Sequence, residues 1–179
     1  MSSLDRALDR LDHDRAAFVG RVDALTDAER AFRPAPDAWS PAEIAEHLWR
    51  TEKAIVWALE RQVEAGDARR DLGPRQPGGF DRLAERMRGG ARLTVPAPSA
   101  RFVSPRGTPW EETRAAWAET AADWRRVAAT VPEALAEVGV MTHPVTGPLT
   151  PVESVRFAAL HTEHHGRQLD RTLAALRAA

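Results

Sequence analysis

Ser40-Pro41-Ala42-Glu43 places a hydroxyl, a proline and a glutamate in one short stretch, and Thr108-Pro109-Trp110-Glu111 and Thr150-Pro151-Val152-Glu153 repeat the pattern. Each predicts a capping box. The hydroxyl accepts from an orphan amide of the first turn, the glutamate accepts from the cap's own amide, and proline fills the first helical position, where no N–H is needed. At the first box, Trp39 and Ile44 also stand at hydrophobic-staple positions. The three signals predict helices near 41–65, 109–131 and 151–177. Ahead of them, Leu4, Leu8, Leu11, Phe18, Val22 and Leu25 recur at three- and four-residue steps, which predicts an amphipathic helix over 4–25.

Connection lengths between these four helices constrain the topology. About 15 residues join the first and second and about 18 join the third and fourth, so each pair can be antiparallel. Residues 66–107 are far longer than a bundle hairpin needs. They hold seven of the 11 glycines and five of the 13 prolines, with a short helix expected around 80–88. Such a crossover allows the second and third helices to run parallel. No repeat is present, and no strand pattern exceeds Leu93-Thr94-Val95 or Arg101-Phe102-Val103. The expected fold is a single all-α four-helix-bundle domain over 1–179.

Composition excludes several chemistries. Zero cysteine removes disulfides, thiolate metal sites, iron–sulfur clusters and a cysteine nucleophile. Zero tyrosine removes the phenol as an acid, and Lys53 is the one lysine available for a Schiff base. Residues 1–15 are charged and helical in pattern, unlike a signal peptide, and no apolar run approaches the roughly 20 residues of a membrane helix. The expectation is a cytoplasmic protein without membrane partners. The net charge of −1 conceals an asymmetry: nine arginines against Asp67, Asp71, Asp81 and Glu85 give residues 66–107 about +5, and the remainder about −6. Aromatic interleaving there is thin (Phe80, Phe102), which argues against nucleic acid as a partner.

With cysteine absent, a metal must be held by His, Asp, Glu or carbonyls. His161 and His165 stand at i and i+4, about 40° apart around the fourth helix, so both imidazoles can converge on one ion. His164 lies about 100° from His165 and hardly completes a three-ligand face. Gln168 follows His165 by one turn, in reach as a hydrogen-bond partner to a ligand. His13 faces away from the leucines of the first helix, and His143 precedes Pro144 in a loop. His47 lies beside Ile44, Leu48 and Thr51 on the second helix. It reads either as a buried core histidine or as the third ligand across the bundle. Trp110, Trp117 and Trp124, with Val127 and Val131, form a stripe on the third helix that reads as core or a dimer seam. Trp49 and Trp57 do the same on the second.

Two stretches, APDAWSPAEIAEHLWRTE (35–52) and HPVTGPLTPVESVRFAALHTEHHGRQLDR (143–171), together resemble the DinB/YfiT-like superfamily of metal-dependent enzymes. The first carries its tryptophan-plus-cap opening and early histidine; the second carries its H-x-x-x-H followed by x-x-Q. Residues 93–109, with their spaced prolines, are compatible with the family's middle connection. The resemblance implies a four-helix bundle with the crossover, frequent homodimers, and one divalent ion of the zinc, nickel or iron type held by His47, His161 and His165. It further implies chemistry on a small molecule in a bundle cleft, by metal-activated water or by a low-molecular-weight thiol cosubstrate: a hydrolase, or a thiol-dependent transferase or isomerase. Three neutral imidazoles leave positions open, as catalytic sites do. Arg167 stands where the sulfoxide-synthase branch has glutamate. Glu43, Arg50, His164, Arg167 and Gln168 are the candidates for supporting the ligands or holding substrate. The alternative is a non-catalytic metal-binding or stress-associated interaction protein using residues 66–107 as its contact surface.

Overall fold

Four helices of the chain begin on reciprocal side-chain caps. A computed structural model describes residues 1–90 and 97–178. In it, α1 (Ser3–Asp23) starts on Ser2 and Asp5, α2 (Asp27–Ala31) on Thr26 and Glu29, and α3 (Pro41–Ala65) on Ser40 and Glu43. The crossover contributes a 3₁₀ turn at Gly66–Ala68, α4 (Gly79–Arg88) and α5 (Ala97–Val103). The remaining helices are α6 (Trp110–Ala128) and α7 (Pro151–Ala178). At α7 the Thr150 amide donates to Glu153 at 2.9 Å and the Glu153 amide to Thr150 Oγ1 at 3.2 Å, the expected box.

The box expected at Thr108 does not form. Helix α6 starts one residue later, from Pro109, without a side-chain cap. The Thr108 hydroxyl donates instead to Glu46 Oε1 at 2.7 Å. A buried carboxylate is a stronger acceptor for that proton than solvent, and it draws the hydroxyl away from the orphan amides of α6.

Ion pairs fix the helix directions. Asp23 meets Trp110 and Arg114 while Asp9 meets Arg125, so α1 and α6 are antiparallel. Glu46 meets residues 106–108 and Glu60 meets Arg126, so α3 and α6 run parallel. Arg21 bonds Asp170 at one end of α1, and Leu4 and Leu8 lie with Pro151 and Val152 around a surface cavity at the other. The bundle is therefore up-down-down-up, with the crossover joining the two parallel helices. The crossover is tied down at its start by Gln62, whose side-chain amide exchanges two 3.1 Å hydrogen bonds with the Arg70 backbone. Arg156 of α7 covers the ring of Phe80 on α4 at 4.9 Å.

Two apolar clusters fill the bundle. One gathers Leu8, Leu11, Ile55, Leu59, Leu83, Met87, Trp124 and Leu160; the other gathers Phe18, Val22, Ile44, Leu48, Trp110, Trp117 and Leu169. Between them along α1 and α3 sit Arg15 and Glu52, both buried. Glu52 accepts from Arg15 Nη2 at 2.7 Å, Trp117 Nε1 at 2.9 Å and Trp124 Nε1 at 3.1 Å. The tryptophan stripe of α6 is thus core, with its polar edges satisfied inside one chain. The pair on α3 divides: Trp49 is partly buried and packs against the second cluster, whereas Trp57 is 63% exposed and not core.

One further sequence expectation is corrected, one falls outside the described residues, and a short hairpin appears that was not expected. Arg101-Phe102-Val103, read as strand-like, belongs to α5. Leu93-Thr94-Val95, Arg92 and the first part of 93–109 lie outside the described residues. A two-stranded antiparallel hairpin, β1 (Met141–His143) with β2 (Gly147–Leu149), precedes α7, pairing Met141 with Leu149 and His143 with Gly147. Gly147 has φ +73°, which the turn into β2 requires of a residue without Cβ.

Candidate metal centre

His47 is on α3 and His161 and His165 on α7, antiparallel neighbours that face each other across the bundle. The Nε2 atoms of His47 and His161 are 3.2 Å apart, those of His165 and His161 3.0 Å, and one nitrogen from each of the three lies within 4.8 Å of the others. Ligand nitrogens on one tetrahedral ion stand about 3.3 Å apart when the metal–nitrogen bonds are about 2.0–2.1 Å. The spacing suits one small divalent cation.

The far sides of two rings determine what the near sides offer. Nδ1 of His47 lies 2.8 Å from the Val103 carbonyl and Nδ1 of His165 lies 2.7 Å from Gln168 Oε1. Both partners are acceptors, so each Nδ1 carries the proton and each Nε2 presents a lone pair. His161 can donate a single N–H to only one of them. Two or more lone pairs therefore converge without protons to separate them, a donor set that fits a cation.

Burial keeps these rings neutral. It pushes His47 down to about 4 and His165 to about 3, and His161 well below its ordinary value; His165 and His47 repel any proton that His161 would take up. His143 is likewise held near 4 by burial. An unfolded chain protonates its histidines below about pH 6.5. Their neutral packing thus contributes stability fully above that pH, and the contribution is lost as pH falls toward about 4. Thermal melts between pH 7.5 and 4.5 are expected to show a steady fall in midpoint; a flat profile over that window overturns this assignment.

Aromatic rings wall the cluster. Trp39 lies 4.7 Å from His47 and 6.2 Å from His165, and Phe157 stacks on His161 at 5.4 Å. Behind Phe157, at 4.7 Å, stands His143. His143 is 9% exposed and part of β1, not the loop expected of it, because the hairpin folds it against α7. His161 itself stays partly exposed between these rings. Surface cavities of about 290 and 250 Å³ lie elsewhere, against the start of α1 and the start of α4, and touch no histidine.

The supporting candidates divide. Gln168 orients His165. Glu43 closes its capping box at 2.9 Å and pairs with Arg33 at 2.5 Å, so its contacts belong to the helix start. His164 Nδ1 and Arg167 Nη2 both donate to the Met87 carbonyl, at 3.3 and 2.8 Å, and Arg167 also holds Glu163 at 2.8 Å. These two fasten α4 onto α7 on either side of His165. Arg50 is 14% exposed at its side chain, its Nε is buried without a hydrogen-bond partner among the described residues, and its Nη1 lies 3.8 Å from Glu46. His13 is exposed. Sequence reasoning missed Glu46, Val103 and Trp39 as neighbours of the site. Trp39 alone had a signal, its place one residue before the cap of the helix that bears His47.

No helix among the described residues is long and apolar enough to cross a membrane. No curated protein matches the chain. The crystal structure of TT2238, a four-helix bundle protein, is similar with a TM-score of 0.52 and 23% identity, over 94% of this chain and 98% of that one, and at that identity it bears on the fold alone. The family model of the DinB superfamily matches residues 10–169, a span that contains His47, His161, His165 and the crossover between their helices. On that match, over most of its length, the chain belongs to the DinB superfamily.

Proposed function

We propose that this chain is a divalent-metal-dependent enzyme acting on a small molecule, with His47, His161 and His165 holding the ion. The observation that carries the reading is the convergence of three Nε2 atoms while the Nδ1 protons of His47 and His165 are committed to Val103 and Gln168. A zinc-, nickel- or iron-type ion bound there supplies Lewis acidity and lowers the pKa of a coordinated water or thiol. Three protein ligands leave room for such a group, and the lack of cysteine means that a thiol would arrive as cosubstrate. The ring walls of Trp39 and Phe157 exclude water and provide apolar contact for a substrate. Arg50, one turn along α3 from His47, has its Nε buried without a hydrogen-bond partner among the described residues, and its ion pair with Glu46 is long, at 3.8 Å, which supports an anionic group on the substrate. Arg167 does not serve this role, since its guanidinium is held by Glu163 and Met87.

Elemental mass spectrometry on untagged protein tests the site. About one equivalent of metal is expected in the parent and traces in His47→Ala and His161→Ala; equal traces in all three overturn it. Cobalt-substituted protein then separates the reactions. A spectrum that changes with a low-molecular-weight thiol supports thiol-dependent transfer. No change with thiols, together with hydrolysis of activated esters or amides, supports the hydrolase. Stoichiometric metal with neither response identifies a non-catalytic metal-binding protein.

A further inference from the structure

Glu46 is fully buried, adjacent in sequence to His47, and has no part in the chemistry described so far. Its carboxylate accepts the amide of Arg106 with both oxygens at 2.9 Å, the amide of Gly107 at 3.0 Å, the amide of Thr108 at 3.1 Å and the Thr108 hydroxyl at 2.7 Å. Gly107 has φ +79°, a conformation that lets three successive amides turn toward one carboxylate. Three residues earlier in the same segment is Val103, whose carbonyl takes the Nδ1 proton of His47 at 2.8 Å.

Val103 ends a seven-residue helix, where the last carbonyls lack partners within the helix. That leaves its oxygen free for His47 but does not hold it in place. Its neighbour Phe102 is 54% exposed, with Arg101 lying over its ring at 4.5 Å, and so adds little to the hold on this turn. The firm anchor nearby is Glu46. His47, Val103, residues 106–108 and Glu46 thus close a short circuit on one turn of α3, and one stretch of backbone carries both the ring and the carboxylate that fixes the ring's partner.

We propose that Glu46 is a positioning residue of the metal centre: by anchoring residues 106–108 it holds the Val103 carbonyl against Nδ1 of His47, which fixes the tautomer and the direction of the His47 Nε2 lone pair. The role rests on the metal-binding reading above. Outer partners of ligand histidines govern affinity by about ten- to a hundredfold. Glutamine at position 46 keeps the size but replaces an acceptor oxygen by an NH₂ group that faces other N–H donors.

The test compares parent, Glu46→Gln, Thr108→Val and Glu153→Gln, the last a control that weakens the cap of α7 away from this segment. Long-range ¹H–¹⁵N correlation spectra of the metal-free proteins read the His47 tautomer, and competition titration with zinc reads affinity. The parent and Glu153→Gln are expected to show the single Nδ1–H form. Glu46→Gln is expected to show mixed tautomers and zinc affinity about tenfold weaker, and Thr108→Val a smaller change in the same direction. Unchanged tautomer and affinity in Glu46→Gln and Thr108→Val, in a parent that binds one zinc, overturn the proposal and leave the metal site standing. A parent that binds no zinc sinks the metal reading instead, and the tautomer spectra then decide by themselves whether Glu46 positions His47. Should Glu46→Gln fail to fold, Thr108→Val carries the comparison.

Discussion

Glu52→Ala is expected to lower folding stability by about 3–5 kcal/mol, because removing one member of a buried ion pair leaves the other charge without compensation. Arg15 would keep only Asp12, at 2.5 Å, at the edge of the core. The indole N–H groups of Trp117 and Trp124, both fully buried, would lose their acceptor at the same time. A lost partner for a buried donor costs about 1–3 kcal/mol, so the loss is of the size that ends cooperative folding in many domains of this length. Urea denaturation checks it, and a change below about 1 kcal/mol would show that the network contributes little. The paired replacement Arg15→Met with Glu52→Leu is expected to cost less than Glu52→Ala alone, since it removes the buried charges together.

His161→Ala is expected to have opposite effects with and without metal. In the parent, zinc at a thousandfold excess over its dissociation constant adds about 4 kcal/mol to stability, which at about 2–4 °C per kcal/mol for a domain of this size raises the melting midpoint by about 8–16 °C. His161→Ala should abolish that rise. Without metal the same variant is expected to melt no lower than the parent, or slightly higher, because it relieves the crowding of lone pairs 3.0 and 3.2 Å apart. Scanning calorimetry with zinc and with a chelator reads both signs. A zinc-induced rise that survives in His161→Ala would place the ion elsewhere.

Local signals carried the fold a long way. The Ser40 and Thr150 boxes start helices where the hydroxyl-proline-glutamate pattern put them, and the length of 66–107 anticipated the parallel pair α3 and α6. The Thr108 box shows the limit of such signals. The same hydroxyl can cap a helix or satisfy a buried carboxylate, and the choice rests on Glu46, which is 62 positions away. Glu52 and Arg15 were illegible for a related reason: a charged residue between apolar positions reads as exposed until its partners arrive from other helices. The spacing of His161 and His165 was visible because both belong to one helix. What Val103 and Gln168 do to the protons of His47 and His165 was only half visible. Gln168 is three residues from His165, whereas Val103 lies 56 positions from His47, in a stretch whose composition suggests only a loop.

His47 and His161 are 114 positions apart, and the crossover lies between them. Closing so long a segment is slow compared with forming local helices. The three-histidine cluster therefore does not exist until α3 and α7 have met, and the His47 ring is not oriented until the crossover has seated its Val103 carbonyl. An ion cannot nucleate this chain as it does a zinc finger, whose ligands are near neighbours in sequence. At the proposed site, metal capture would be a late event in the life of each molecule, after the bundle has closed. On the proposed metal-binding reading, a folded, metal-free protein therefore precedes the loaded one.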